Sequence, residues 1–105
     1  MNFEEIVRML SEIGLPFAYH HFAEGESPDP PFLIYLSPGS HNFAADGKVY
    51  FKVDLLDVEL YTDKKEPDIE ARVEAAFDAA GLFYDKTESY IEEEKLYEVL
   101  YEMEV

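Results

Sequence analysis

The residues in this chain whose type most directly invites chemistry are two adjacent imidazoles, His20-His21. Imidazole nitrogen is the commonest side-chain metal ligand and a frequent general base. On a strand, neighbouring side chains point to opposite faces, so the two rings are expected not to converge on one ion. His41 lies in a separate turn-rich region, and the chain contains no Cys, so a zinc centre would need His plus carboxylate ligands. The spacings present match no metal motif. The second candidate chemistry is carboxylate catalysis, since Asp and Glu together number 24. A working carboxylate pair must sit in a cleft that splits its two pKa values. The densest groups, Glu92-Glu93-Glu94 and the helical set Glu70, Glu74 and Asp78, read instead as solvated surface. None of Ser11, Ser27, Ser37, Ser40 and Ser89 lies in a Gly-x-Ser-x-Gly elbow. The five glycines form no phosphate-binding loop, and no acidic run has the alternation of an EF-hand. The expectation is a protein that is not an enzyme, with no catalytic residue, no metal site and no cofactor.

The elements that would position any site follow from periodicity. Asn2 and Glu5 make a capping-box pattern before Ile6, Met9, Leu10 and Ile13, which repeat at helical spacing, and Gly14 and Pro16 stop the run. This predicts a helix over Phe3–Ile13. Phe17–Phe22 is aromatic and strand-prone, and residues 24–31 are dense in turn formers. Phe32–Leu36 is almost continuously apolar, which suits a strand buried on both faces. Ser37-Pro38-Gly39-Ser40 breaks it, and a second connection ends at the turn dipeptide Asp46-Gly47. Val49–Thr62 alternates like a strand, but Val49, Phe51, Val53 and Leu55 share one parity and Leu56, Val58 and Leu60 the other. Either a bulge near Leu55-Leu56 or a change of packing environment would reconcile the halves, and a bulge or sharp bend is the favoured reading. Pro67 starts a second helix with Ile69, Val73, Ala76, Phe77 and Ala80 on its apolar face and Asp68, Glu70, Arg72, Glu74 and Asp78 opposite; Gly81 closes it. Phe83–Ile91 and Lys95–Val105 read as a hairpin joined by Glu92–Glu94.

The order α-β-β-β-α-β-β predicts an α+β fold, with a mainly antiparallel sheet and two helices packed on it, in one domain over residues 1–105. The expected core is Ile6, Leu10, Ile13, Leu33, Ile34, Phe51, Val53, Val58, Leu60, Ile69, Val73, Phe77, Val99 and Tyr101. With 24 acidic against 8 basic side chains the net charge is −16, yet 48% hydrophobic and 15% aromatic content is too apolar for a disordered acidic chain. The charge opposes direct affinity for DNA or an anionic membrane. No apolar run approaches the roughly 18 residues of a membrane span, and Met1-Asn2-Phe3-Glu4-Glu5 lacks the basic start of a signal peptide, so a cytosolic protein is expected. Eight tyrosines exceed what two helices and a five-stranded sheet can cover, which leaves aromatic surface for partners.

Asn42–Asp54, Val58–Pro67, the acidic Ala-rich helix, and Tyr90-Ile91-Glu92 with Tyr97-Glu98-Val99 resemble small tail proteins of long-tailed phages and prophages of Gram-positive bacteria. They are similar to the tail-terminator, or tail-completion, group. The resemblance is strongest from Asn42 to Pro67. It implies an α+β subunit of a homo-oligomeric, hexameric ring on the tail tube, with the tube protein and a head-completion protein as partners. It also implies residence in the bacterial host cytoplasm during assembly and then in the virion tail. It brings no catalytic residue. Asn42, Phe43, Asp46, Lys48, Tyr50, Tyr61, Asp63, Lys64 and Lys65, in and beside its best-matched stretch, form the candidate interaction surface. An acidic ring would let DNA slide through by repelling phosphate. The alternative is an acidic inhibitor, a DNA mimic that blocks a nucleic-acid-binding partner by charge complementarity. A small enzyme is the third reading, without a supporting constellation.

Overall fold

The computed structural model describes the backbone of residues 1–45 and 48–105 and the side chains of residues 1–40 and 54–105. In chain order the elements are α1 (Phe3–Ile13), β1 (Phe17–Tyr19), β2 (Phe32–Leu36), β3 (Ser40–Ala45), β4 (Lys48–Thr62), α2 (Pro67–Ala79), β5 (Tyr84–Ile91) and β6 (Leu96–Glu104). Helix α1 begins with the reciprocal cap the sequence suggests. Asn2 Oδ1 accepts the Glu5 N–H at 2.8 Å, and Glu5 Oε1 accepts the Asn2 N–H at 2.9 Å. It ends at Gly14, where φ is +84° and an added Cβ would stand 3.3 Å from the Arg72 guanidinium. That guanidinium also donates to the Ile13 carbonyl at 2.8 Å, tying the end of α1 to α2. Pro67 opens α2, where its missing N–H is no loss, and Leu82 closes it by donating to the Phe77 carbonyl at 3.0 Å.

The strands order as β1-β2-β4-β6-β5, with β3 paired beside the first half of β4. Taken along that five-strand path, the chain order is the expected α-β-β-β-α-β-β, and the fold is α+β. The sheet is mixed, because β1 runs parallel to β2 while the other pairs are antiparallel. Residues 20–31 supply the long crossover that a parallel neighbour requires. Strand β1 stops at Tyr19, short of the expected Phe22, because His20 takes φ +66°. Strand β3 occupies a segment that reads as a connection in sequence. Its register, from Ser40↔Asp54 to Ala45↔Lys48, comes from pairing with β4 and not from its own propensity. The Asp46-Gly47 turn expectation lies outside the described residues.

The parity change in β4 marks a change of partner, and the bulge reading at Leu55-Leu56 is corrected accordingly. Pairing with β3 ends at Asp54, and the register with β6 then runs unbroken through Leu55↔Glu104 and Leu56↔Met103. A register shift does occur, but between Phe43 and Ala44, against β4.

Both helices lie on one side of the sheet. Ile6, Met9, Leu10 and Ile13 of α1 and Val73 and Phe77 of α2 form one buried cluster with Leu33, Tyr35, Leu56, Val58, Leu60, Val99, Tyr101 and Met103. Of the expected core, Ile69 is half-buried, Ile34 is buried on the opposite face, and the Phe51 and Val53 side chains lie outside the described residues. Phe77 is fully buried, with the rings of Tyr101 and Tyr84 centred 5.2 and 5.6 Å away. Phe77→Ala is expected to cost about 3–5 kcal/mol in urea denaturation. A loss below about 0.5 kcal/mol would place Phe77 outside the core.

Candidate functional site

The two faces of the sheet handle charge in opposite ways. On the helix side, α2 presents Glu70 and Glu74 inward beside Val73 and Phe77, which corrects the expectation that these carboxylates are solvated. Glu70 is only 4% exposed. Lys65 bridges Glu70 and Glu88 at 2.6 Å each, and Lys86 of β5 bridges Glu70 at 2.8 Å and Glu74 at 2.7 Å. The hydroxyls of Tyr101 and Tyr84 donate to Glu74 at 2.7 and 3.2 Å. Burial alone would raise the pKa of both glutamates. The lysine bonds and charges, and for Glu74 the tyrosine bonds, outweigh it and hold both below the ordinary carboxylate range. Burial and the nearby carboxylates push the Tyr101 hydroxyl strongly upward, so it remains a donor.

Among the described residues the opposite face carries no helix, and the registers lay it out in rows. Leu36, Asp57, Glu102 and Asp85 face one another across β2, β4, β6 and β5. The next row holds Ile34, Glu59, Leu100 and Thr87, and the one beyond it Phe32, Tyr61, Glu98 and Ser89. Thus Asp57, Glu102 and Asp85 are three carboxylates directly opposed on adjacent strands, an arrangement that destabilises a sheet. Burial, then the charge of Glu102, raises the pKa of Asp57. Burial and the charges of Glu98 and Asp57 raise that of Glu59, despite the 3.0 Å bond it accepts from the Tyr61 hydroxyl.

One end of this face is closed by aromatic packing. Tyr61 stacks on Phe32 at 5.2 Å, and Phe22, from the segment that crosses between β1 and β2, meets Phe32 edge-on at 5.4 Å. His20 and His21 border the same end. Strand alternation does not govern them, because β1 has already ended. The left-handed His20 turns the rings together, with Nδ1 atoms 3.0 Å apart, so that one Nδ1–H donates to the other ring. Among the described residues no group of three or more His, Cys, Asp or Glu is placed to hold a metal ion.

The described members of the sequence-derived interaction surface lie at separate places along β3, β4 and the turn that follows. Asn42 and Phe43 lie on β3, and Lys48 and Tyr50 on the first half of β4; their side chains, and Asp46 altogether, lie outside the described residues. Tyr61 sits near the far end of β4 on the uncovered face, eleven residues and roughly 37 Å of strand beyond Tyr50. Asp63 and Lys64 are exposed in the turn that follows, while Lys65 is committed to Glu70 and Glu88 on the helix side. Sequence reading missed the opposed row Asp57–Glu102–Asp85. The signal was available only as acidic residues on the polar parity of three strands, and it becomes a row once the register is known.

No protein-family model matches the chain, and no curated protein sequence matches it significantly.

The two faces predict opposite responses to pH. Asp57, with its pKa raised by folding, contributes stability below its unfolded value of about 3.9 that is lost as pH rises through the higher folded value. Glu70 and Glu74, with theirs lowered, contribute stability above about pH 4.3 that is lost as pH falls through the folded values. Asp57→Asn is therefore expected to stabilise the fold by about 0.2–1 kcal/mol at pH 7. The gain should shrink as pH falls toward 4 in urea denaturation. A loss at pH 7 would mean that the row is neutralised by groups other than those described.

Proposed function

We propose that the chain is a structural assembly subunit, a tail terminator that forms a ring at the end of a phage tail tube and joins tail to head. The observation that carries this reading is the two-stranded ribbon. From Lys48 to Asp54, β4 pairs with β3, and among the described residues no other strand is paired to either of them there. An isolated two-stranded ribbon is marginal in water and needs a surface to pack against. The molecule is drawn out to 49 Å along one axis against 28 and 24 Å along the others, which gives such a ribbon reach toward a neighbour. The outer strands β1 and β5 have unpaired edges among the described residues, the kind of edge along which chains join. The resemblance of Asn42–Pro67 to tail-terminator proteins covers the ribbon and the strand that roots it.

The charge fits the same role, because a ring traversed by DNA works best when its wall repels phosphate. The acidic-inhibitor reading has less support. It needs continuous paired rows of carboxylates, whereas Leu100, Thr87 and Ser89 interrupt the rows on the uncovered face.

Assembly of a subunit carrying −16 should depend on salt. At 0.01 M ionic strength the screening length is about 30 Å and whole subunits repel, while at 0.15 M it is about 8 Å and only charges at the joints remain. Sedimentation velocity is expected to give a monomer or weak oligomer at 0.01 M salt and rings toward 0.5 M. Negative-stain images of the protein mixed with cognate tail tubes should show one capped end. A monomer at every salt concentration that also ignores tube ends would overturn the reading.

A further inference from the structure

The uncovered face holds a feature that the ribbon and the strand edges leave unused. A groove of about 760 Å³ opens beside the start of β5, walled by Pro38, Leu82 and Phe83 and floored by the row Asp57, Glu102 and Asp85. Phe83 is 82% exposed, an open aromatic ring at the rim of a carboxylate floor. We propose that this groove docks a short, basic, amphipathic segment of another protein. Its Lys or Arg side chains meet Asp57, Glu102 and Asp85, and its apolar side chain covers Phe83.

Charge and geometry choose this occupant. The three carboxylates stand on adjacent strands, so the row is about 10 Å long and accommodates two or three cationic side chains from neighbouring turns or alternate strand positions. Among the described residues none of the three makes an ion pair, and the described salt bridges lie on the other face. The aliphatic stems of Lys and Arg can lie along Pro38 and Leu82 while their heads reach the row. A second copy of this chain is a poor occupant. It carries 24 acidic against 8 basic side chains, and three of the eight, Lys65, Lys86 and Arg72, are already engaged within the subunit. Two such faces would bring six carboxylates together. The groove lies on the sheet at the root of the ribbon, where Pro38 and Leu55 line it, and the inference does not rest on ring formation.

The test is fluorescence anisotropy of a labelled synthetic peptide alternating Lys and Leu, with a Glu and Leu peptide as its counterpart, at 0.15 M salt. Saturable binding of the basic peptide alone is expected. It should weaken at least tenfold in the combined variant D57N/D85N/E102Q and about fivefold in F83A. It should change less than twofold in E92Q/E93Q/E94Q, which removes the same charge at the hairpin turn. Phe83 is so exposed that its variant keeps the fold and tests the site by itself. Equal weakening by the two charge variants, or no saturable binding, would overturn the proposal. So would an open-face variant that alters self-association in sedimentation while leaving the peptide bound. A chain that binds the peptide yet never forms rings would keep this inference and remove the terminator reading.

Discussion

Two lysines, Lys65 and Lys86, decide how this acidic chain can fold. Helix α2 meets the sheet through a narrow apolar stripe, Val73 and Phe77 with the half-buried Ile69 and Ala76. The positions beside that stripe are Glu70 and Glu74, and carboxylates buried there unpaired would force the helix away. The two ammonium groups, with Tyr84 and Tyr101, supply the donors those carboxylates need. Because Lys86 is on β5 and Lys65 precedes α2, the same contacts fix where the helix lies across the sheet. With only 8 basic residues against 24 acidic ones, cations engaged on the helix side are not available to the other side.

The uncovered face is the consequence. Asp57, Glu102 and Asp85 are brought into opposition by the registers that place Val58, Tyr101 and Lys86 together on the helix side. The sheet cannot satisfy one arrangement without creating the other, since a one-residue slip would turn every side chain over. The fold thus places its electrostatic discomfort, and the exposed Phe83 beside it, where a partner can reach them. The ribbon is a second feature of this kind, a pair of strands extending past the layer that stabilises the rest. Both suit the assembly subunit proposed above.

Much of the fold is legible in the sequence where local chemistry is strong. The Asn2–Glu5 cap, the Gly14 stop and the Pro67 start each come from one or two residues, and each is where expected. The parity change at Leu55-Leu56 was visible, but its cause was not, because sequence shows that a strand changes environment without naming its neighbours. Strand β3 escaped notice since Ser40–Ala45 has no strong strand signal and is held by β4. Glu70 and Glu74 read as surface because Glu is a surface residue unless paired, and the pairing lysines come from outside the helix. Strand alternation would part His20 and His21, but β1 stops one residue earlier. Of the interaction surface, individual residues could be proposed but not their separation along β4.

The division of charge between the two faces is tested most directly by NMR titration of the individual side-chain carboxyls in the intact protein. Glu70 and Glu74 should titrate below the ordinary glutamate range, and Asp57 and Glu59 above theirs. Titration of all four at ordinary values, or of Asp57 and Glu59 below theirs, would contradict it. Either result would show that the helix side is not where the chain's cations act, or that the uncovered face is already neutralised.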